Sequence, residues 1–171
     1  MTCVAGIAQS GRCYLCGDSA ASAGDDRWTM GRKVRRIGGI VLGVAGDVAL
    51  CGPILSGRWS PRWDGRAPRA WIGDEWVPAM RERLRRRRGD LTALLGVGGE
   101  LWVVDRDGSI VAPPATSYTA IGSGAAWAVG ALAALDGSRP RLAPRTRLRR
   151  ALAIAARHSG GVAEPWAWAS A

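Results

Sequence analysis

The sequence contains no phenylalanine, one histidine and two tyrosines. None of its apolar runs approaches the ~20 residues that span a bilayer, which excludes a transmembrane helix. The amino terminus has no basic stretch followed by an apolar one, so we expect no leader and a cytoplasmic protein. The single histidine, His158, also leaves too few ligands for a histidine-rich zinc site.

Acidic residues are scarce, with 14 Asp and Glu against 24 Lys and Arg, for a net charge of +10. A basic balance raises nucleic acid or an acidic protein as possible partners. The arginines are spread over several helical segments, however, and no DNA- or RNA-binding motif accompanies them. The arginine run 85–88 also suits the negative end of a helix dipole on a solvated face. We therefore expect a solvated basic surface rather than a nucleic-acid site.

Four cysteines are present, and two of them form a C-x-x-C at Cys13 and Cys16. Such a pair is typical of zinc or redox sites. Here it lies in "GRCYLCGD", which reads as a strand, and positions three apart on a strand point to opposite faces. We therefore predict that the cysteines are buried free thiols.

The length of 171 residues and a hydrophobic content of 47% are typical of a single globular domain over residues 1–171. "TCVAGIA" and "CYLCGD" around "QSGR" predict a β-hairpin. "SAASAGDDRW" reads as a loop, and Gly52 and Pro53 are expected to interrupt a helix after residue 47. The stretch 57–76 fits no regular structure. Further strands are predicted at "IVLGVAG", "LTALLGV", "ELWVVD", "SIVAPP" and the last ten residues.

Three helices are predicted, and they complete an α+β pattern. One lies in "WVPAMRERLRRRRG", one follows Ser123, and one lies in "APRTRLRRALAIAARH" with arginines on its outer face. Strands, helices, strands, helices and a last strand follow one another along the chain. This order indicates two sheets with two helix layers.

Four polar residues stand in small or apolar surroundings: Thr2, Asp18, Lys33 and Ser123. A threonine hydroxyl is a weak nucleophile that needs a base, and an amino-terminal threonine supplies one through its own α-amine. A lysine would stabilise the alkoxide, and a carboxylate would keep that lysine charged. Each residue also has an ordinary structural interpretation: Asp18 as a turn residue, Lys33 as part of a basic run and Ser123 as a helix cap.

The chain resembles the proteasome β-subunit family, and most of all its bacterial HslV branch. Four segments carry the resemblance in order along the chain: "TCVAGIAQSGRCYLCGDSAAS", "RKVRRI" with "IVLGVAGDVA", "AIGSGAAWAVGAL" and "ALAIAARHSGG". The resemblance implies an N-terminal nucleophile hydrolase with a four-layer αββα sandwich. It aligns Thr2 with the nucleophile, Asp18 and Lys33 with its supporting pair, and Ser123 with the serine near the threonine amine. Gly46 or Gly43 lies where the family donates an oxyanion N–H.

The resemblance implies a threonine peptidase subunit that forms homo-oligomeric rings, cleaves polypeptides and needs no cofactor of its own. An ATP-dependent unfoldase is the expected partner, and ATP enters only through it. We expect an aminopeptidase to remove Met1 and thereby free the Thr2 amine. The sequence departs from the proteasome β-subunits at Ala156, where they usually have an aspartate and where HslV differs as well, and residues 52–78 do not resemble the long helices of HslV. The alternative is an inactive ring or scaffold protein whose arginines bind an acidic partner or nucleic acid.

Overall fold

The computed structural model describes residues 2–23, 26–29, 31–112, 116–137 and 142–171. Strands β1 (Val4–Gln9) and β2 (Arg12–Gly17) form the predicted hairpin. Ser10 and Gly11 make its turn with φ values of 53° and 70°. The hairpin therefore returns the chain to the end of β1 that Thr2 precedes.

The first sheet places β1 and β2 between two strands from the second half of the chain. Its order is β10-β1-β2-β11, with β10 at Tyr118–Ile121 and β11 at Ala167–Ser170. All three pairings are antiparallel, and Val4 faces both Gly17 and Ile121. Strand β11 confirms the predicted last strand, whereas β10 was not predicted.

The second sheet has the order β5-β6-β7-β8-β9 and is also antiparallel. Its strands are Val34–Ile37, Ile40–Gly46, Leu91–Val97, Glu100–Asp105 and Ile110–Val111. The predicted "SIVAPP" strand is thus reduced to two residues, and its prolines 113 and 114 lie outside the described residues. The predicted loop after Asp18 is wrong: β3 (Ala20–Ala23) and β4 (Asp26–Thr29) pair as a separate antiparallel ribbon.

Helices cover the outer faces of both sheets. They are α1 (Val48–Leu55), α2 (Pro68–Trp71), a π-helical segment (Ile72–Trp76), α3 (Val77–Leu84), α4 (Ala125–Asp136) and α5 (Pro144–His158). The helix predicted in "WVPAMRERLRRRRG" ends at Leu84, before the arginine run 85–88. None of the described helices is long and apolar enough to cross a membrane.

Three apolar clusters separate the layers. Val4, Leu15, Val41 and Leu94 pack between the two sheets. Helices α4 and α5 bury Leu132, Leu148 and Leu152 against the first sheet, and α1, the π-helical segment and α3 bury Leu50, Trp76 and Met80 against the second. The order helix, sheet, sheet, helix is the predicted four-layer αββα sandwich.

Helix α1 continues through Gly52 and Pro53, contrary to the prediction. Proline has no N–H, so the carbonyl of Ala49 loses its partner within the helix. The Arg87 guanidinium donates to that carbonyl at 3.1 Å and replaces the missing donor. The contact spans 38 residues of sequence, which explains why the local pattern predicts a break.

Two further predictions about helices are wrong. Residues 68–76 are helical, with Pro68 in the first turn, where the missing N–H costs nothing. Arg147 does not lie on the outer face of α5; it is fully buried, and its Nη2 lies 2.6 Å from Asp136 Oδ1. A carboxylate at the end of α4 thus gives a buried arginine its ion pair.

Candidate active site

Strand pairing places Ser123 beside Thr2. Because β1 pairs with β10, the turn after Ile121 lies next to the residues that precede Val4. The Thr2 N–H donates to Ser123 Oγ at 3.1 Å, and Ser123 Oγ donates to the Thr2 carbonyl at 3.3 Å. The N–H of Gly124 donates to the same carbonyl at 3.2 Å. Thr2 is therefore held through its backbone, and its side chain is free to face Lys33.

The Lys33 ammonium lies between Thr2 and Asp18. Its Nζ donates to Thr2 Oγ1 at 2.8 Å, to both Asp18 carboxylate oxygens at 3.0 Å, and to the Ala20 carbonyl. The Lys33 and Thr2 residues are only 6% and 7% exposed. Lys33 is also the only lysine in the chain, although 23 arginines occur. The chain therefore has a compact ammonium at this position, although it has a guanidinium at all its other basic positions apart from His158.

Asp18 is fully buried at the end of β2 and accepts hydrogen bonds on both oxygens. Besides Lys33, the N–H of Cys3 donates to Oδ1 at 2.8 Å and that of Ala20 to Oδ2 at 3.0 Å. Burial raises the pKa of the Asp18 carboxyl, while Lys33 and the two amide donors oppose that rise. Donors on both oxygens match the ionised form, so the pair presents a buried carboxylate that orients the ammonium towards Thr2.

The two candidate glycines lie in different environments. Gly46 lines an open cleft of about 370 Å³ together with Thr2. Its φ is 129°, and a Cβ there would collide with the Asp90 carbonyl, so only glycine fits. Gly43 faces the core between the sheets, where a Cβ would lie 2.5 Å from Val4 Cγ1. Of the two, only Gly46 shares the cleft with the Thr2 hydroxyl.

The cleft contains residues that the sequence did not single out. Besides Thr2, Gly46, Ser123 and Ala45, its lining includes Asp47, Asp90, Leu91, Thr92 and Gly122. Asp47 directly follows the Gly-x-Ala-Gly motif at residues 43–46, and this position next to Gly46 is a sequence signal that could have identified it. Asp90 and Thr92 arrive through the pairing of β6 with β7, in which Ala45 faces Thr92, and no local motif marks them.

Ala156, at which the sequence departs from the family that it resembles, lies on α5 in the helix layer. Ala156 is partly buried and packs against the cluster between α4, α5 and the first sheet. Ser159 ends α5, where its N–H donates to the Ala155 carbonyl at 2.8 Å. A methyl group therefore occupies the position at which β-subunits usually have a carboxylate.

All four cysteines are buried and free, as predicted. Cys13 faces the core between the sheets and Cys16 the cluster beneath α4 and α5, so the two thiols point to opposite faces. Burial raises the pKa of the Cys3 and Cys13 thiols to about 12 and that of Cys51 to about 11. Among the described residues, no group of three or more His, Cys, Asp or Glu could hold a metal ion.

The arginine run 85–88 follows α3 rather than extending it, and part of it has a structural role. Arg87 donates to the Ala49 carbonyl, and Arg106 in turn donates to the carbonyls of Arg87 and Gly89. Arg85 lies 3.5 Å from Glu82 in an exposed pair. These contacts fix the turn that leads into β7.

Solved structures of three proteins resemble this chain over almost its full length. HslV from Trypanosoma brucei has a TM-score of 0.75 at 21% identity, over 99% of this chain and 98% of that one. BPH from Thiobacillus denitrificans, solved in complex with epoxomicin, has a TM-score of 0.81 at 17% identity, over 99% of this chain and 98% of that one. Anbu from Pseudomonas aeruginosa, solved as a helical assembly, has a TM-score of 0.72 at 15% identity, over 100% of this chain and 81% of that one.

No protein-family model matches the sequence, and the comparison with curated proteins finds no match. The similarity therefore concerns the fold. Two antiparallel sheets between helix layers, matched along the whole chain to HslV, BPH and Anbu, give this protein the proteasome-like fold of N-terminal nucleophile hydrolases.

Proposed function

We propose that this chain is the threonine peptidase subunit of a self-compartmentalising, proteasome-like protease, with Thr2 as the nucleophile. The 2.8 Å contact between Lys33 Nζ and Thr2 Oγ1 carries the proposal. A buried ammonium beside a hydroxyl favours the alkoxide, and a lysine whose charge is held by Asp18 would have little other use at this position. The proposal requires removal of Met1, which lies outside the described residues, so that Thr2 carries a free amine.

The reaction divides into two steps in which the same amine moves the proton. The Thr2 α-amine takes the hydroxyl proton as Oγ1 attacks the peptide carbonyl, and it returns that proton to the departing nitrogen as the C–N bond breaks. Water then hydrolyses the resulting ester and regenerates the hydroxyl. An α-amine suits this task because its reference pKa of about 7.7–8.0 leaves part of it unprotonated at neutral pH. The hydrolysis itself needs no cofactor.

Gly46 and Ser123 supply the remaining roles in this proposal. The Gly46 N–H is our candidate for the donor that stabilises the oxyanion, because Gly46 and Thr2 line the same cleft. Ser123 Oγ positions the Thr2 nitrogen through the 3.1 Å contact. Gly43 has no such role in this scheme, since it faces the core between the sheets.

Self-association is the second part of the proposal. The similar Anbu protein forms a helical assembly, and we expect this chain to form homo-oligomeric rings in the cytoplasm that enclose the Thr2 sites. The substrates would be polypeptides, delivered by an ATP-dependent unfoldase that carries all ATP chemistry. Size-exclusion chromatography with light scattering tests the first expectation: a monomer at micromolar concentration would contradict it.

Covalent labelling by a peptide epoxyketone tests the catalytic part. The reagent reacts with a hydroxyl at its ketone and with the neighbouring amine at its epoxide, so it requires both groups on one residue. We expect intact-mass measurement to show loss of Met1 and one adduct per chain, located on Thr2 by peptide mapping. Thr2→Ala should abolish the adduct, whereas Thr2→Ser should retain it. A retained Met1 with no adduct would favour the inactive ring or scaffold protein instead.

A further inference from the structure

The cleft beside Thr2 carries a negative charge in a strongly basic protein. Nine of the described residues line it; they include two carboxylates, Asp47 and Asp90, and no arginine, lysine or histidine. The chain as a whole has a net charge of +10. The charge at the cleft is thus opposite in sign to the net charge of the molecule. Its carboxylates would act on a charged substrate only at short range, once the substrate has reached the cleft.

The two carboxylates are held next to each other by the backbone. The Asp47 N–H donates to the Asp90 carbonyl at 2.8 Å, and the Asp90 N–H donates to Asp47 Oδ2 at 2.8 Å. Asp47 Oδ2 is therefore partly engaged. Over the described part of the chain, no hydrogen bond or ion pair is found for the Asp90 carboxylate, and Asp90 is exposed to the cleft. Asp90 is thus available to a ligand.

The arginines of the adjoining turn do not neutralise this pair. Arg87 donates to the Ala49 carbonyl, and Arg106 donates to the Gly89 carbonyl at 2.6 Å and to that of Arg87. Their guanidinium groups are directed at carbonyl oxygens rather than at Asp47 or Asp90. A neighbouring cavity of about 630 Å³ contains Arg81, Arg85 and Arg106 together with Asp105 and Asp107, and Asp90 lines both that cavity and the cleft.

A third carboxylate extends the acidic wall behind Thr92. The Thr92 hydroxyl donates to Asp105 Oδ1 at 2.8 Å, and Thr92 lines both the cleft and the neighbouring cavity. A cleft of about 370 Å³ is large enough for one long side chain and the water around its head group. A basic side chain with an apolar stem matches such a cleft, which offers Ala45 and Leu91 beside its carboxylates.

We propose that Asp47 and Asp90 make this cleft select substrates with arginine or lysine at the residue that supplies the scissile carbonyl. The inference rests on the proposed function, since it places that carbonyl between Thr2 and Gly46. Asp90 provides the open carboxylate, and Asp47 adds charge while fixing the Asp90 backbone. An acidic side chain at the same position is rejected by the two like charges, which separates substrates by repulsion as well as attraction.

Labelling rates test the selection directly at Thr2. Three tripeptide epoxyketones that differ only in the residue next to the ketone, with arginine, glutamine or glutamate, are compared by intact mass on the full chain. We expect the labelling rate to decrease in the order Arg, Gln, Glu. The arginine reagent should react about tenfold faster than the glutamine reagent at low salt, and this Arg/Gln rate ratio should fall at 0.5 M NaCl. Fluorogenic amides of the same peptides should give the same order in kcat/KM.

Two isosteric variants assign the preference to named carboxylates. Asp90→Asn should lower the Arg/Gln rate ratio roughly fivefold, because it removes a charge and no hydrogen bond. Asp74→Asn, on the π-helical segment, removes the same charge outside the cleft and should leave the ratio unchanged. Asp47→Asn should also lower the ratio. An unchanged urea midpoint for Asp90→Asn would show that the fold is intact.

The outcomes separate the inference from the proposed function. Labelling of Thr2 at equal rates by all three reagents, or faster labelling by the glutamate reagent, would overturn the selection while supporting the peptidase. A ratio that Asp90→Asn leaves unchanged would overturn the assignment to this carboxylate. The absence of any labelling would overturn both.

Discussion

The ammonium of Lys33 lies 2.8 Å from the hydroxyl oxygen of Thr2 and 3.0 Å from both carboxylate oxygens of Asp18. Thr2 precedes β1, Asp18 directly follows β2 and Lys33 directly precedes β5, so the hairpin and the crossing to the second sheet must both form before the three side chains meet. Because the pair is buried, removing either Lys33 or Asp18 leaves the other charge without a partner, and water does not compensate for it.

Lys33→Met should abolish reaction at Thr2 and destabilise the fold. The Asp18 carboxylate would stay buried with only two amide donors, which is expected to cost about 3–5 kcal/mol in the free energy of unfolding. Adding Asp18→Asn removes the stranded charge and should recover part of that stability without restoring epoxyketone labelling. Urea denaturation and intact mass measure the two effects. Labelling that survives in the single variant would show that Lys33 has no role in activating Thr2.

Ser123→Ala should slow labelling at Thr2 about tenfold, the effect of one lost hydrogen bond to an amine. The fold should be nearly unaffected, because the Gly124 N–H still holds the Thr2 carbonyl at 3.2 Å. A hydrogen bond from the amine to Ser123 Oγ favours the protonated amine, so its loss should move the acidic limb of the rate profile to lower pH. Ser123→Thr keeps the acceptor and should restore the profile. A slower rate with an unmoved profile would indicate a structural effect only.

Local sequence patterns predicted the parts of the site that neighbouring residues determine. Two apolar runs around a turn predicted the β1–β2 hairpin that returns Asp18 towards Thr2, and the periodic pattern in "APRTRLRRALAIAARH" predicted α5, in which Leu148, Ala151, Leu152 and Ala155 are fully buried. The pairing of Asp18 with Lys33 was expected only through the family resemblance. The roles of these residues stay predictions until Thr2 is labelled.

The remainder depends on contacts between distant residues. The sequence around Pro53 does not indicate that Arg87 donates to the Ala49 carbonyl, because Arg87 is 38 residues away from Ala49. The local pattern therefore predicts a break in helix α1. Strand β10 has four residues and pairs with β1 more than a hundred positions earlier, which leaves little local signal. Asp90 likewise reaches the cleft only because β7 pairs with β6.

Gly122→Ala should disrupt the site, whereas Gly130→Ala should not. Gly122 has a φ of 89°, and a Cβ there would collide with the Thr2 carbonyl, so we expect a loss of at least about 2 kcal/mol in the free energy of unfolding. Gly130 lies on the exposed face of α4 with nothing near its Cβ position, and alanine should stabilise the helix by about 0.5–1 kcal/mol. Urea denaturation compares the two, and equal effects would contradict the geometry at Gly122.

Buried thiols should make the fold less stable at alkaline pH. Burial raises the pKa of Cys13 from 9.0 to about 12, so the unfolded chain releases this proton first as the pH rises. The stabilising effect of the protonated thiol is complete below pH 9 and declines from there up to about pH 12. Between pH 8 and 10 the decline for Cys13 is about 1.4 kcal/mol. The difference in free energy of unfolding between the natural chain and Cys13→Ala, measured in urea under reducing conditions, should therefore shrink by about that amount. A difference that stays constant across this range would mean that the Cys13 thiol ionises as readily in the folded protein as in the unfolded chain.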